Sequence, residues 1–486
     1  MESVYSELLE YQTSLNTNNN VNNYLVLNGK LNSVLSNPYE NSNTRSIDNE
    51  AKYSSENFRI HYDSNETTEL QAIEVAEFFE EIRDEFIDMG FEEPILESLY
   101  SGYQVYLDPD PNPDNSSTLA VCTKKSVTTK TCASYITIYN FNDLEQGNVK
   151  ESITHEYFHA IQNAYNQQST WFKEACANWA ATEVSEQYNV SLGWANDFIR
   201  NSYDESIYST NGYGAVLLPL TIEKKYGGYS AIRSIYEEYN NNGFNLNFSQ
   251  LKNVISNGIV SNGYSAGTFD DAYVDMATYL IDPIKHFATV INKNTSLVDI
   301  NTNDYILLNS NNNTTIVDND IIKSYASSYY YFEVDDSLLG DSTLTLTFDF
   351  SFDISGAQIQ LYTVDYSNNE YISYNVVYNN NESITVENVG ASVEKIFFVV
   401  SNLNVSSEIE MDIDVSFTHT HNHLNGCTSN GAISHTCICS CGHTYTTDHT
   451  FKPFSNGNKC TGCGFFTTGP VITPIMGIGE EEPEEE

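Results

Sequence analysis

The chain has 486 residues, more than one hydrophobic core usually organises, so roughly two to four domains are expected. Its 66 acidic and 21 basic residues give a formal net charge of −45, which excludes nucleic acid and anionic membranes as partners because their phosphates would be repelled. A hydrophobic content of 40%, with 35 Tyr and 24 Phe, excludes a disordered chain.

The N-terminal region carries no recognisable targeting segment. The first 30 residues lack the basic start and apolar middle of a secretory signal, so either a signal has been removed or the sequence gives no evidence of secretion. Residues 11–50 are rich in Asn and Ser and show little periodicity, and we interpret residues 1–50 as a flexible leader or the remnant of a pro-segment. No apolar run reaches the ~18 residues of a transmembrane helix, so none is predicted.

Residues 51–292 combine strand and helix patterns, which predicts an α+β domain. The predicted strands are 57–63 (NFRIHYD), 103–107 (YQVYL) and 134–140 (SYITIYN). From Leu70 to Met89 apolar residues recur at three- and four-residue steps, which predicts a helix that Gly90 ends. The pattern is helical again from Thr221 to about Asp282.

After Asn292 the pattern changes to a period of two, in segments such as STLTLTFDF and EKIFFVV separated by Asn- and Gly-rich turns. This predicts an all-β sandwich over residues 300–418. Residues 419–466 form a Cys/His-rich module, and residues 467–486, with Pro, Gly and a glutamate run, are expected to be a disordered acidic tail.

Directly after the third predicted strand, the segment HEYFH places His155, Glu156 and His159 in the spacing H-E-x-x-H. On a helix, positions i and i+4 lie one above the other, so the two imidazoles can bind one metal ion. Glu156 lies between them in angle and beside the ion, where its carboxylate can take a proton from a water that zinc has made more acidic. The alternative is a histidine pair on an ordinary half-buried helix.

A catalytic zinc ion needs a third protein ligand and an open position. Glu174, 15 residues after His159 on a second predicted helix, is the candidate, with Glu183 or Glu186 as alternatives. Asn178, one turn after Glu174, either forms a hydrogen bond with a ligand histidine or faces solvent.

The segments HEYFHAIQ and WFKEACANW resemble the gluzincin peptidases, in which a W-x-x-E-G-x-A element supplies a glutamate ligand one helix after H-E-x-x-H. The matching residues of that element are Trp171, Glu174, Ala175, Ala177 and Trp179. Between about residues 58 and 290 the chain is particularly similar to a group of secreted bacterial metalloproteases. The resemblance implies a zincin-like domain, a zinc ion held by His155, His159 and Glu174, and Glu156 as general base.

Other peptidase classes fit less well. Metzincins need Gly three residues and His six residues after the second histidine, where this chain has Gln162 and Tyr165. The aminopeptidase G-x-M-E-N strand is absent, which favours an endopeptidase. Gluzincins also commonly supply a Tyr or His to the developing oxyanion, and Tyr208 and Tyr213 are candidates, with core packing as the alternative.

Two further expectations concern the strand that precedes the H-E-x-x-H helix. In such folds the edge strand at this place pairs with an extended peptide, and we predict that residues 134–140 form that edge, which favours broad specificity. Cys122 and Cys132 either form a disulfide in an exported protein or remain buried thiols.

Six of the nine cysteines fall between residues 427 and 463, a crowding that favours a local structural zinc site over a disulfide framework. The predicted ligand set is Cys439 or Cys441 with His449, Cys460 and Cys463; His435, His421 and His423 leave room for a second ion. A disulfide in an oxidising compartment is the alternative, and Cys427 with Cys437 are candidates for such a pair.

The sequence therefore predicts a multidomain zinc peptidase that acts on protein or peptide substrates and is secreted or associated with the cell surface. A surface adhesion or scaffold protein with a vestigial peptidase domain is the alternative from another class, and hydrolysis of a non-peptide bond is a third. The intact Glu156 favours an enzyme, because a purely structural zinc has no use for that carboxylate.

Overall fold

The computed structural model describes only part of the chain, in the following ranges: 49–113, 118–126, 128–145, 148–166, 168, 170–185, 189–201, 206–208, 212–243, 245–265, 267–282, 286–287, 304–308, 315–334, 343–365, 371–376, 382–390, 393–420, 427–430, 434–438, 444–448, 451–454, 457–460 and 466–467. All but the last two residues of the predicted leader, and all but the first of the predicted tail, lie outside these ranges.

The chain divides into two compact units. The first runs to Asn301 and includes 322–328 and 401–408; the second contains 302–321, 329–400 and 409–486. The described residues form a mixed α/β protein with several sheets and eight α-helices. None of the described helices combines the length and the apolar character needed to cross a lipid bilayer.

The first unit contains a five-stranded sheet with the order β1-β2-β3-β5-β4. Its strands are β1 (Glu50–Ser54), β2 (Phe58–Asp63), β3 (Tyr103–Leu107), β4 (Ala120–Lys124) and β5 (Ser134–Ile138). The three central strands are parallel, and β1 and β4 are antiparallel to their neighbours. The prediction that residues 134–140 form the edge is wrong, because β4 pairs with β5 on its outer side, with Cys122 opposite Ile136.

The helices of the first unit are α1 (Glu69–Asp88), α2 (Val149–Tyr165), α3 (Trp171–Val184), α4 (Asn189–Asn201), α5 (Leu217–Tyr226), α6 (Tyr229–Asn241), α7 (Phe248–Ser261) and α8 (Phe269–Tyr279). Polar side chains fix several helix starts: Thr68 and Gln71 form a capping box at α1, and Thr170 accepts a hydrogen bond from the Lys173 amide at α3. Gly227, at φ 106°, ends α5 in the left-handed conformation that a side chain disfavours.

Buried aromatic residues fix how α2 lies on the sheet. The Tyr157 ring packs 5.7 Å from Phe58 of β2 and 5.8 Å from Phe79 of α1, and the Phe158 ring packs 5.2 Å from Phe86. All five side chains are buried, and burying each contributes about 1.5–3 kcal/mol. Because these contacts set the rotation of α2 about its axis, they also set the direction of the polar side chains on its neighbouring face.

Nine strands of the second unit belong to one hydrogen-bonded network with the order β11-β10-β13-β12-β9-β14-β7, to which β8 and β6 add beside β13. They are β6 (Asp304–Leu308), β7 (Thr315–Ile322), β8 (Ser327–Val334), β9 (Thr343–Phe352), β10 (Ala357–Asp365), β11 (Tyr371–Val376), β12 (Glu382–Val389), β13 (Val393–Asn402) and β14 (Ile409–Thr420). The core contains Phe348, whose ring lies 4.9 Å from Phe332 and 4.8 Å from Phe398.

The Cys/His-rich region forms two three-stranded sheets. The strands are β15 (Cys427–Ser429), β16 (Ser434–Ile438), β17 (Thr444–Asp448), β18 (Phe451–Phe454), β19 (Gly457–Cys460) and β20 (Phe466–Thr467). Cys427 lies directly opposite Cys437, His435 lies on β16, and Cys460 ends β19. The other predicted ligands, Cys439, Cys441, His449, Cys463, His421 and His423, lie outside the described residues, so this zinc site stays a prediction.

Candidate metal centre

Two helices joined by a short connection, α2 and α3, bring three potential metal ligands together. His155 and His159 lie on α2, and Glu174 lies in the first turn of α3, after five residues of connecting chain. One ligand atom from each of these residues lies within 4.8 Å of the other two, and among the described residues no other such group occurs. The predicted trio is therefore brought to one place.

The distances between the ligand atoms suit a tetrahedral ion. The Glu174 Oε2 atom lies 3.1 Å from His159 Nε2 and 3.4 Å from His155 Nε2, and the two imidazole rings are nearly perpendicular at 89°. Ligands held 2.0–2.1 Å from a tetrahedral ion are about 3.3 Å apart. The spacing of the donor atoms thus fits a small divalent cation.

Hydrogen bonds on the far side of each ring determine which nitrogen faces the cluster. His155 Nδ1 lies 2.9 Å from Asn178 Oδ1, and the orientation of that amide is fixed because its Nδ2 donates to the Tyr213 carbonyl at 3.0 Å. His159 Nδ1 lies 2.7 Å from Gln162 Oε1. Because both partners are acceptors, each Nδ1 carries a hydrogen and each Nε2 faces Glu174, where a neutral ring would offer a lone pair to a metal ion.

Two imidazole nitrogens and a carboxylate converge on one point, and positive charge there, either from protons on the imidazoles or from a metal cation, stabilises the carboxylate. Burial disfavours the charged form of Glu174, but the charge of His159 and hydrogen bonds from both imidazoles outweigh burial and lower the pKa of Glu174 well below its usual range. A metal cation would satisfy all three donors at once. The residues therefore fit a metal. Of the two alternatives for Asn178, the structure shows the hydrogen bond with His155 and not a solvent-facing side chain.

Glu156 lies beside this trio with its carboxylate held by the sheet. Its Oε2 accepts a hydrogen bond from the Cys122 backbone N–H of β4 at 2.7 Å, and its Oε1 lies 4.0 Å from His155 Nε2. Burial raises the pKa of Glu156 to about 7; Glu174 adds to the rise, while His155 and the Cys122 N–H oppose it. A divalent cation nearby would favour the carboxylate form, which is the form that accepts a proton.

Of the two tyrosines predicted to face the site, Tyr213 does so. Its ring stacks on His155 with centroids 5.6 Å apart, and it also stacks with Trp194 at 5.6 Å. Its hydroxyl forms a hydrogen bond with Glu174, and that carboxylate, with burial and Glu156, raises the pKa of Tyr213 well above its usual value. The hydroxyl therefore keeps its proton and can donate it in a hydrogen bond.

Tyr208 belongs to a different cluster. Its ring packs 4.5 Å from Phe248, and its hydroxyl donates to the Val405 carbonyl at 3.2 Å. Among the alternative third ligands, Glu183 is not part of the convergent trio; burial raises the pKa of Glu223, and the nearby Glu183 adds to that rise. Glu186 lies outside the described residues.

Cys122 and Cys132 form no disulfide in the structure, so the thiol alternative holds for this pair. The hairpin geometry explains why. Cys122 lies opposite Ile136, four residues from Cys132, which corresponds to roughly 13 Å along an extended strand. A disulfide needs Cα atoms about 4.4–6.8 Å apart.

Gly212 makes the close approach of Tyr213 to α3 possible. It has φ +88°, and a Cβ atom there would lie under 3.0 Å from the Trp171 carbonyl oxygen and 2.8 Å from Glu174 Cβ. We expect Gly212→Ala to destabilise the fold by about 2–4 kcal/mol, combining backbone strain with overpacking. Gly263→Ala is the matched control, because Gly263 has φ +97° and open space around it, so strain alone should cost about 1 kcal/mol. Urea unfolding of both variants measures the difference, and equal losses would contradict the steric explanation.

Sequence reasoning missed several contributors to this site. Each contacts a predicted site residue: the Cys122 N–H contacts Glu156, Gln162 contacts His159, and Trp194 contacts Tyr213. Only Gln162 had a readable signal, because it lies three residues after His159 and hence on the same side of α2.

Comparisons with known proteins do not identify the chain. No family model and no curated protein matches it. Among solved structures it shows a similarity to a family GH115 4-O-methyl-α-glucuronidase with specificity for decorated arabinogalactans, at 11% identity and a TM-score of 0.13, covering 68% of this chain and 53% of that chain. The chain thus spans about half the length of that enzyme, and a TM-score this small carries no functional argument.

Proposed function

We propose that the chain is a zinc-dependent endopeptidase whose first unit is a zincin-like α+β domain. The observation that carries the proposal is the convergence of His155, His159 and Glu174, with both Nε2 atoms facing the carboxylate and Glu156 held beside them. Two imidazoles and one carboxylate are the ligand set of catalytic zinc in several peptidases, and the free fourth position distinguishes such sites from structural ones.

Bound zinc would supply Lewis acidity at the scissile carbonyl and lower the pKa of a water. Glu156 would accept a proton at its carboxylate and later return it to the leaving amine. The Cys122 N–H bond to Oε2 keeps that carboxylate oriented, and leaves Oε1 directed toward the ligand trio. His155, His159 and Glu174 would hold the ion, and Asn178 orients His155.

Strand β4 is the proposed substrate-binding edge. It is one of the two edge strands of the described sheet, and its Cys122 N–H contacts Glu156, so an extended peptide paired along β4 would run past the general base. Recognition through backbone hydrogen bonds tolerates many side chains, so broad specificity is expected. We also propose that the protein is exported or displayed on the cell surface, and that its C-terminal module binds a structural zinc ion.

Tyr213 is the proposed donor to the oxyanion. We expect Tyr213→Phe to lower kcat by about 10²-fold or more with zinc content unchanged, because loss of one such donor typically costs about 10²–10³-fold. Tyr208→Phe is the matched control and should leave kcat unchanged, since Tyr208 packs against Phe248 and its hydroxyl donates to the Val405 carbonyl, in a different cluster from the ligand trio. Steady-state kinetics on a cleaved peptide compare the two variants, and equal kcat values would remove Tyr213 from the mechanism.

A peptide-library cleavage assay with metal analysis tests the function. The purified protein is expected to contain zinc, to cleave internal peptide bonds, to lose activity on chelation and to regain it when zinc is restored. Cleavage that survives complete metal removal would contradict the proposal. A protein that binds zinc but cleaves no member of the library would instead favour the adhesion or scaffold alternative.

A further inference from the structure

We propose that Gln162 is a positioning residue that fixes the metal-binding tautomer of His159 and ties together the two helices that carry the ligands. The inference rests on the ligand set of the proposed function. It assigns a role to a side chain that does not itself reach the metal position.

Every hydrogen-bonding group of the Gln162 amide is used. The side chain is fully buried; its Oε1 lies 2.7 Å from His159 Nδ1, and its Nε2 donates to the Lys173 carbonyl at 2.9 Å and to the Tyr236 hydroxyl at 2.8 Å. A buried amide with all partners supplied has a single favourable orientation.

That orientation decides the state of His159. If the amide were rotated by 180°, its oxygen would face the Lys173 carbonyl, which is also an acceptor, and the hydrogen bond to that carbonyl would be lost. With the rotation excluded, Oε1 must accept from Nδ1–H, and the lone pair of a neutral His159 is left on Nε2, 3.1 Å from Glu174 Oε2. Gln162 therefore does for His159 what Asn178 does for His155.

The same amide also reaches the helix of the third ligand. Lys173, whose carbonyl it binds, immediately precedes Glu174 in the first turn of α3. The Lys173 side chain returns to the end of α2, where its Nζ donates to the Asn166 carbonyl at 3.1 Å. The Gln162 side chain thus links the ligand His159 to the backbone beside the ligand Glu174, and this link fixes the separation of the two ligands.

Zinc affinity separates this role from simple core packing. Gln162→Met keeps the approximate volume but removes both amide functions, and we expect zinc affinity to fall by about 10- to 100-fold, as loss of an outer partner of a ligand histidine commonly causes. Gln162→Glu restores an acceptor for Nδ1–H without the donor to Lys173, so its zinc affinity should lie between that of Gln162→Met and that of wild type, because carboxylates also serve as partners of ligand histidines.

Gln168→Met is the matched control. Gln168 also bridges two segments, with its amide bonded to both backbone groups of Leu246, but neither of these hydrogen bonds involves a ligand. Its loss should lower thermal stability and leave zinc affinity unchanged. Affinities are measured by competition with a chromophoric chelator, and cobalt(II) absorption spectra report the ligand geometry.

Three outcomes would overturn the inference: unchanged zinc affinity in Gln162→Met, equal weakening in Gln162→Met and Gln162→Glu, or equal weakening in the Gln168→Met control. Absence of zinc binding in the wild type would overturn both this inference and the proposed function. Because the measurement needs no peptide, a wild-type protein that binds zinc but cleaves nothing would refute the proposed peptidase activity alone.

Discussion

Replacement of Glu156 by glutamine is expected to lower kcat for peptide cleavage by roughly 10²- to 10⁴-fold while the zinc content stays at the wild-type level. The carbonyl oxygen of the introduced amide can still accept the Cys122 N–H bond that Glu156 accepts at 2.7 Å, so the local geometry is retained. An amide cannot accept a proton from a water near neutral pH, so only the proton transfer is lost.

Metal analysis and steady-state kinetics on the same preparation check this prediction. Retained zinc with lost cleavage supports Glu156 as the general base. Cleavage at the wild-type rate would exclude it. Loss of both zinc and cleavage would contradict a role for Glu156 outside the ligand set. The structure favours that role because the Glu156 Oε1 atom lies 4.0 Å from His155 Nε2, farther than the Glu174 Oε2 atom does.

Glu174→Gln is expected to weaken zinc binding by more than about 100-fold, because it removes a negatively charged ligand from the trio. Loss of a hydrogen-bonding partner of a ligand histidine costs only about 10- to 100-fold. Cleavage should fall in proportion to the zinc lost at low zinc concentration. The physical reason is that the carboxylate balances much of the charge of the cation in a site whose other two ligands are neutral.

Glu183→Gln, on the same helix, is the control for Glu174→Gln. Glu183 influences the pKa of Glu223 and is not part of the ligand trio, so the zinc affinity and activity of the Glu183→Gln variant should equal those of the wild type. Chelator competition on both variants decides the matter. A larger zinc loss in Glu183→Gln than in Glu174→Gln would transfer the third-ligand role to Glu183.

The helical period explains why the convergent residues could be named from the sequence. Residues four apart on a helix share a face, so a helical pattern in this segment is enough to predict that His155 and His159 lie close together on α2. Glu174 followed from its place in the tryptophan-flanked pattern. The limits of α1 and the strand YQVYL were readable for the same reason, because local periodicity determines them.

The remaining parts depend on contacts between segments far apart in the chain. Strand β4 is only five residues long, and its place outside β5 depends on the hairpin between them, so the edge was assigned to the wrong strand. Tyr208 and Tyr213 are five residues apart, and only the left-handed turn at Gly212 and the stack of Trp194 distinguish them. No periodicity in the sequence encodes either feature.

The short connection between α2 and α3 has a consequence for how the site forms. All three ligands come from residues 155–174, so bringing them together closes only a small loop of chain, and the entropy lost in that closure is correspondingly modest. Ordering of the site thus depends mainly on one helical hairpin. Insertions or deletions in distant loops should leave ion capture nearly unchanged, whereas lengthening the five-residue link would separate the histidines from their acidic partner.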